Sequence, residues 1–103
     1  MDKILYLHGY KDVTTAPLVQ IMRQSDYEIV APKIDYDSPA WDKVVEITEK
    51  EKPIAIVGHS LGGYFGYYLS QKFGIPALII SPALYDKWDK KQPVPADIKN
   101  LAL

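Results

Sequence analysis

The sequence predicts an α/β fold, a three-layer sandwich in which a short parallel sheet of about four strands lies between helices. Three observations point to it. Short apolar runs alternate with amphipathic stretches along most of the 103 residues. Each run is of strand length and lacks a helical period, as expected of strands buried on both faces. The connections are long enough to hold helices, so consecutive strands are joined by right-handed crossovers and run parallel.

The first strand is read in "KILYLHGY", an apolar run that ends in His8-Gly9. "DVTTAPLVQIMRQSDY" follows as a helix, with cap-type threonines, a proline near its start, and Leu18, Val19, Ile21 and Met22 as its apolar set. "YEIVAPKID" is a brief second strand closed by Pro32. In "SPAWDKVVEITEKEK", Ser38 reads as a cap and Pro39 as a first-turn residue, with Trp41, Val44, Val45 and Ile47 on one side of a second helix. "PIAIVGHS" is a third buried strand, "LGGYFGYYLSQKFG" a third helix ended by Gly74, and "IPALIISPALY" a fourth strand.

Residues 1–85 thus form one core and residues 86–103 a polar tail. Pro93 and Pro95 interrupt that tail and disfavour a regular element around them, although a short helix is possible at its end. The length suits a single domain. With 12 Lys+Arg against 13 Asp+Glu and a net charge of −1, the chain has no electrostatic case for nucleic acid or an anionic membrane. Its apolar runs fall far short of the ~20 residues that cross a bilayer. The absence of cysteine removes disulfides and thiolate metal sites, and no motif implies a metal or cofactor. "MDKILYLHGY" lacks the basic start, apolar stretch and cleavage site of a signal peptide, so the expected compartment is the cytoplasm.

The chemistry concentrates in "IVGHSLGGYF". Gly58-His59-Ser60-Leu61-Gly62 fits G-x-S-x-G, a sharp strand-to-helix turn that presents a serine nucleophile. Side chains at Gly58 or Gly62 would collide with neighbouring elements, and the amide of Leu61 falls at a helix start, where unpaired N–H groups favour an oxyanion. The bland reading is a turn that needs glycines for packing and carries its serine by accident. "LHGY" supplies the second element: Gly9 lets the backbone approach the site, and the amide of Tyr10 is the expected second oxyanion donor. His8 reads as a structural imidazole holding that loop, and His59, next to Ser60, as a side chain turned away from the hydroxyl. Neither is a good general base.

"ILYLHGY" together with "IAIVGHSLGGYFGYYLSQKFGIPALIISPAL" resembles the small bacterial esterases of the α/β-hydrolase superfamily, in particular the YqiA-like family. Leu-His-Gly at a strand end, the Gly-x-Ser-Leu-Gly-Gly-Tyr elbow and the Pro82-Ala83 pair carry the resemblance, which extends to about Leu84. It implies a partial α/β-hydrolase fold with strand order 2-1-3-4. It also implies a serine esterase acting on small carboxylic esters, with Ser60 as nucleophile and the amides of Tyr10 and Leu61 as oxyanion hole. In that family the acid and the histidine of the triad come in a later stretch, so both are expected to be missing from these 103 residues. Asp86 and Asp89 are read first as solvated charges and only second as acids of a variant triad. Three readings stay open: a piece of a hydrolase, a half completed by a partner chain, and a degenerate hydrolase fold kept for binding.

Two further expectations concern surfaces. The apolar fourth strand would be an uncovered edge, so self-association is expected through residues 76–81 and the tail, with Trp88, Ile98, Leu101 and Leu103 as contacts. Tyr64, Phe65, Tyr67 and Tyr68, like Trp41 and Trp88, are read as packing residues before any acyl pocket.

Overall fold

The structure, a computed structural model, describes residues 1–11, 17–84 and 86–101. Its elements are β1 (Lys3–Leu7), α1 (Pro17–Met22), β2 (Glu28–Val30), α2 (Trp41–Glu51), β3 (Ala55–His59), α3 (Leu61–Phe73), β4 (Ala77–Ile80), α4 (Asp86–Lys91) and α5 (Ala96–Leu101). The four strands make one all-parallel sheet in the expected order β2-β1-β3-β4. Among the described residues no helix is long and apolar enough to cross a membrane.

Strand alternation sends successive side chains to opposite faces and so divides the core in two. Leu5, Leu7 and Ile56 face α2 and α3 in the larger cluster, where Val44, Leu61, Tyr64, Phe65 and Leu69 are fully buried. Tyr6, Ile29 and Val57 face α1 in a smaller one, closed by Val19. Helices therefore cover both faces, although not equally.

Pro17 opens α1, where its fixed φ suits the first helical position and its missing N–H costs nothing. The helix stops at Met22, short of the expected Tyr27, because Gln24 and Ser25 switch to tighter bonds onto the Ile21 and Met22 carbonyls. The cap-type Thr14 and Thr15 lie outside the described residues.

Ser38 and Pro39 do not start α2. The N-cap is Ala40, which has no side-chain cap, and its own N–H donates to Gln92 Oε1 at 2.7 Å. A distant side chain thus takes the place of the expected local cap. At the other end Lys52 is left-handed at φ 49° and its N–H returns to the Thr48 carbonyl. Gly74 closes α3 in the same way at φ 65°, as its position predicts.

The two prolines of residues 86–101 fall in the link between two short helices, Pro93 and Pro95 lying between α4 and α5. That arrangement leaves both helices intact and turns Trp88, Val94 and Ile98 into the larger core cluster. Trp41, on α2, joins the same cluster.

Candidate active site

The sheet order places a topological switch between β1 and β3, since β1 connects towards β2 on one side and β3 towards β4 on the other. A crevice opens at the carboxyl ends of the strands at such a point. β1 and β3 end level there, with Leu7 paired to Gly58, so the loop after β1 and the turn after β3 leave the sheet side by side.

Ser60 occupies that turn with φ 57° and ψ −116°, a conformation that L residues avoid and that costs about 1–3 kcal/mol. The surroundings hold it there. Its N–H donates to the Ile80 carbonyl at 2.9 Å, and its carbonyl accepts from Ala83 N–H at 2.9 Å and from Tyr64 N–H at 3.1 Å. The last is the first hydrogen bond of α3. A Cβ on Gly58 would run into the backbone of Gly62 and Gly63, and one on Gly62 would lie 2.6 Å from the His8 carbonyl and closer still to that of Leu7. Both glycines are therefore required by close approach, and the approach at Gly62 brings the His8-Gly9-Tyr10 loop against the first turn of α3. Among the described residues the Ser60 hydroxyl has no side-chain partner.

His8 is nearly fully buried and both of its ring nitrogens are engaged. Nε2 accepts the Ile34 N–H at 2.9 Å, which leaves Nδ1 to carry the proton towards the Gly9 carbonyl at 2.7 Å. A histidine held in one tautomer by two backbone groups braces its loop, and it has no free lone pair with which to take a proton from serine. His59 shares the α1 face of β3 with Val57 and is partly buried.

The segment after β2 completes the surroundings. Tyr36 is 3% exposed, its hydroxyl donates to the His8 carbonyl at 2.8 Å, and its ring stacks on Phe65 of α3 with centroids 5.5 Å apart. Tyr10 donates to Asp37 Oδ1 at 2.6 Å, and that hydrogen bond is the main reason its phenol titrates above the ordinary value. A cleft of about 610 Å³ opens beside the loop, lined by His8, Tyr10, Lys33, Ile34, Tyr36 and Asp37 among others; Ser60 does not line it.

A match to the uncharacterised protein family UPF0227 runs from residue 3 to residue 92, from the start of β1 through the end of α4. The chain belongs to that family. Within this UPF0227 chain the match takes in the elbow, the loop after β1 and Gln92, its final residue.

Residues singled out by motif thus meet at one end of the sheet: Gly58, Ser60, Leu61 and Gly62 at the elbow, and Gly9 and Tyr10 on the adjoining loop. Asp89 stands on α4. It accepts from Tyr64 Oη and from Lys99 Nζ, both at 2.9 Å. Burial alone would raise its pKa, and these two hydrogen bonds outweigh that effect and hold it below the usual carboxylate value. Asp89 is thus a charge that stays exposed to solvent and is partnered as well. Asp86's side chain lies outside the described residues. Tyr64 and Phe65 are fully buried packing residues, while Tyr67 and Tyr68 are partly exposed. Burial, then the hydrogen bond to Asp89, pushes the Tyr64 phenol far above its ordinary range. Tyr36, Asp37 and Gln92 carry no motif and were not foreseen. Among the described residues no three His, Cys, Asp or Glu side chains gather as a metal ion would need.

Proposed function

We propose that this chain is the nucleophile-bearing part of a serine esterase of the α/β-hydrolase superfamily, YqiA-like in its motifs and acting on small carboxylic esters. The strained Ser60 backbone between two glycines that admit no Cβ carries the reading. A turn that keeps such strain under three main-chain hydrogen bonds supports the reading that it serves to present Ser60 at the carboxyl ends of the strands.

In this reading Ser60 Oγ attacks the ester carbonyl, the carbonyl oxygen takes up negative charge, and the amides of Tyr10 and Leu61 receive it. Collapse of the tetrahedral intermediate expels the alcohol and leaves an acyl-enzyme at Ser60, which water then hydrolyses. The base that takes the serine proton is not His8, whose nitrogens are both occupied. A histidine from another segment or another chain, oriented by an acid, would have to take that proton. Oxyanion binding alone leaves ~10³–10⁴-fold over water when triad members are absent.

The test is covalent modification by a fluorophosphonate, with the site read by mass spectrometry. Ser60 should be modified in preference to Ser25, Ser38, Ser70 and Ser81, and the Ser60→Ala protein should be spared. In the same preparation p-nitrophenyl acetate turnover should stay near background and change little in Ser60→Ala. Indiscriminate labelling of the serines would overturn the hydrolase reading in favour of a binding module on this fold. Robust turnover that disappears in Ser60→Ala would show that a base is present after all.

We propose further that two copies meet along β4. Among the described residues β4 pairs only with β3, to which it turns the Pro76 and Ile80 carbonyls. By strand alternation the main-chain groups of Ala77 and Ile79 face the open edge, and Leu78 beside them is 60% exposed. Trp88 and Ile98 are committed to this chain's own core, and the Leu101 side chain and Leu103 lie outside the described residues, so we rest the contact on β4.

A further inference from the structure

The loop that carries Tyr10 is braced from a direction the motifs do not include. The Tyr36 hydroxyl holds the His8 carbonyl at 2.8 Å while its ring lies nearly parallel to Phe65, at 9°, five residues into the helix that begins after Ser60. One side chain therefore touches both structures that would form the oxyanion hole.

Tyr36 is itself fixed by Gln92, which is fully buried in the link after α4. Its Nε2 donates to the carbonyls of Tyr36 and Ser38, each at 2.8 Å, and its Oε1 accepts the Ala40 N–H at 2.7 Å. The Gln92 carbonyl in turn lies 2.9 Å from Tyr64 Oη, whose single proton it shares with Asp89. Every polar atom of the Gln92 side chain is thus spent on the 36–40 segment. Trp88 of α4 adds a direct contact, its ring 5.3 Å from that of Tyr10.

We infer that Tyr36, seated by Gln92, is a positioning residue that sets the oxyanion loop against the nucleophile elbow. This rests on the esterase reading for its purpose and on the hydrogen bonds alone for its geometry. The hydroxyl acts at a distance from the reacting atoms. Without it the His8 carbonyl loses its partner, the His8-Gly9-Tyr10 loop relaxes, and the Tyr10 amide leaves the line on which the oxyanion forms. Small displacements of this kind are costly because oxyanion donors work only when they are already in place. The residues of α4 and the following link therefore bear on the site through the 36–40 segment and the ring of Tyr10.

Tyr36→Phe removes the hydroxyl and keeps the stacked ring. Ser70→Ala is the control, since it deletes a hydroxyl that bonds a backbone carbonyl, that of Ile75, at the far end of α3. The ¹H–¹⁵N resonances of Gly9 and Tyr10 should shift, and their amide exchange quicken, in Tyr36→Phe and not in Ser70→Ala. Fluorophosphonate modification of Ser60 should slow roughly tenfold at saturating probe with probe affinity little changed, less than the about 10²–10³ lost when an oxyanion donor itself is removed. Loop resonances that move no more than in Ser70→Ala would overturn the inference, and so would an unaltered modification rate beside a lowered melting temperature. Wild-type protein whose Ser60 is modified no faster than its other serines would instead sink the esterase reading, with the resonances still deciding the positioning role.

Discussion

On one face of the sheet Leu5, Leu7 and Ile56 lie sealed beneath α2 and α3, with Trp88, Val94 and Ile98 from the last two helices packed into the same cluster. On the other, the six-residue α1 covers Tyr6, Ile29 and Val57 but leaves Leu78 of β4 60% exposed. The first face supports the elbow and the loop beside it, and the second is only half dressed. The contrast separates the part of the sheet that determines stability and site geometry from the part available to another surface.

The largest test compares the two faces directly. Phe65→Ala empties a fully buried ring from the larger cluster and should cost about 3–5 kcal/mol in urea unfolding, a large share of the stability of a domain this size. Val19→Ala, on the α1 face and equally buried, removes far less apolar matter and should cost about 2 kcal/mol. Equal losses would mean that the faces share the load and that the contrast is one of area alone.

The elbow was legible because its requirements are local. Glycines at 58 and 62, an apolar strand before and a helix after are all written within ten residues, and the strained serine follows from them. The same locality explains why His8 could be read as a brace, and why the alternation of elements gave the sheet. Gln92 was not legible. In "KKQPVP" it is one polar residue between lysines and prolines, and its value lies in three backbone groups more than 50 residues earlier in the chain. The misplaced start of α2 has the same cause. Ser38-Pro39 carries the local pattern of a helix start, but a tertiary hydrogen bond satisfies Ala40 and the helix begins two residues beyond the proline. The partnered state of Asp89 escaped likewise, because Tyr64 and Lys99 come to it from different elements.

Asp89 offers a smaller test on the well-covered face. Hydrogen bonds from Lys99 and Tyr64 hold its pKa in the folded chain below the reference value of 3.8. A depressed folded pKa stabilises the fold above the unfolded value, and that contribution is lost as pH falls from about 4 through the folded value. The side chain is 38% exposed, so solvent screening keeps the effect under about 1 kcal/mol. Melting temperatures of Asp89→Asn should therefore fall less steeply than wild type below pH 4 and lie slightly lower at neutral pH. Parallel profiles would show that the Lys99 contact is too well screened to matter.

The smallest effect on folding should come from the half-dressed face. Leu78→Lys replaces an exposed side chain that the monomer barely uses, so unfolding of the isolated chain should change by no more than about 0.5 kcal/mol. Association is where the substitution should register. Two β4 edges brought together by a two-fold axis pair antiparallel and extend the sheet across both copies, which places the two Leu78 side chains near the axis. Lysines there would repel one another and stay solvated, the device by which natural edge strands avoid pairing. Light scattering at micromolar concentration should report a dimer or larger species for wild type and a monomer for Leu78→Lys, with the same melting temperature once the wild type is diluted to monomer. A wild type that is already monomeric at those concentrations would end the β4 contact. A Leu78→Lys protein that unfolds several kcal/mol more easily would instead show that this face supports the fold as the other does.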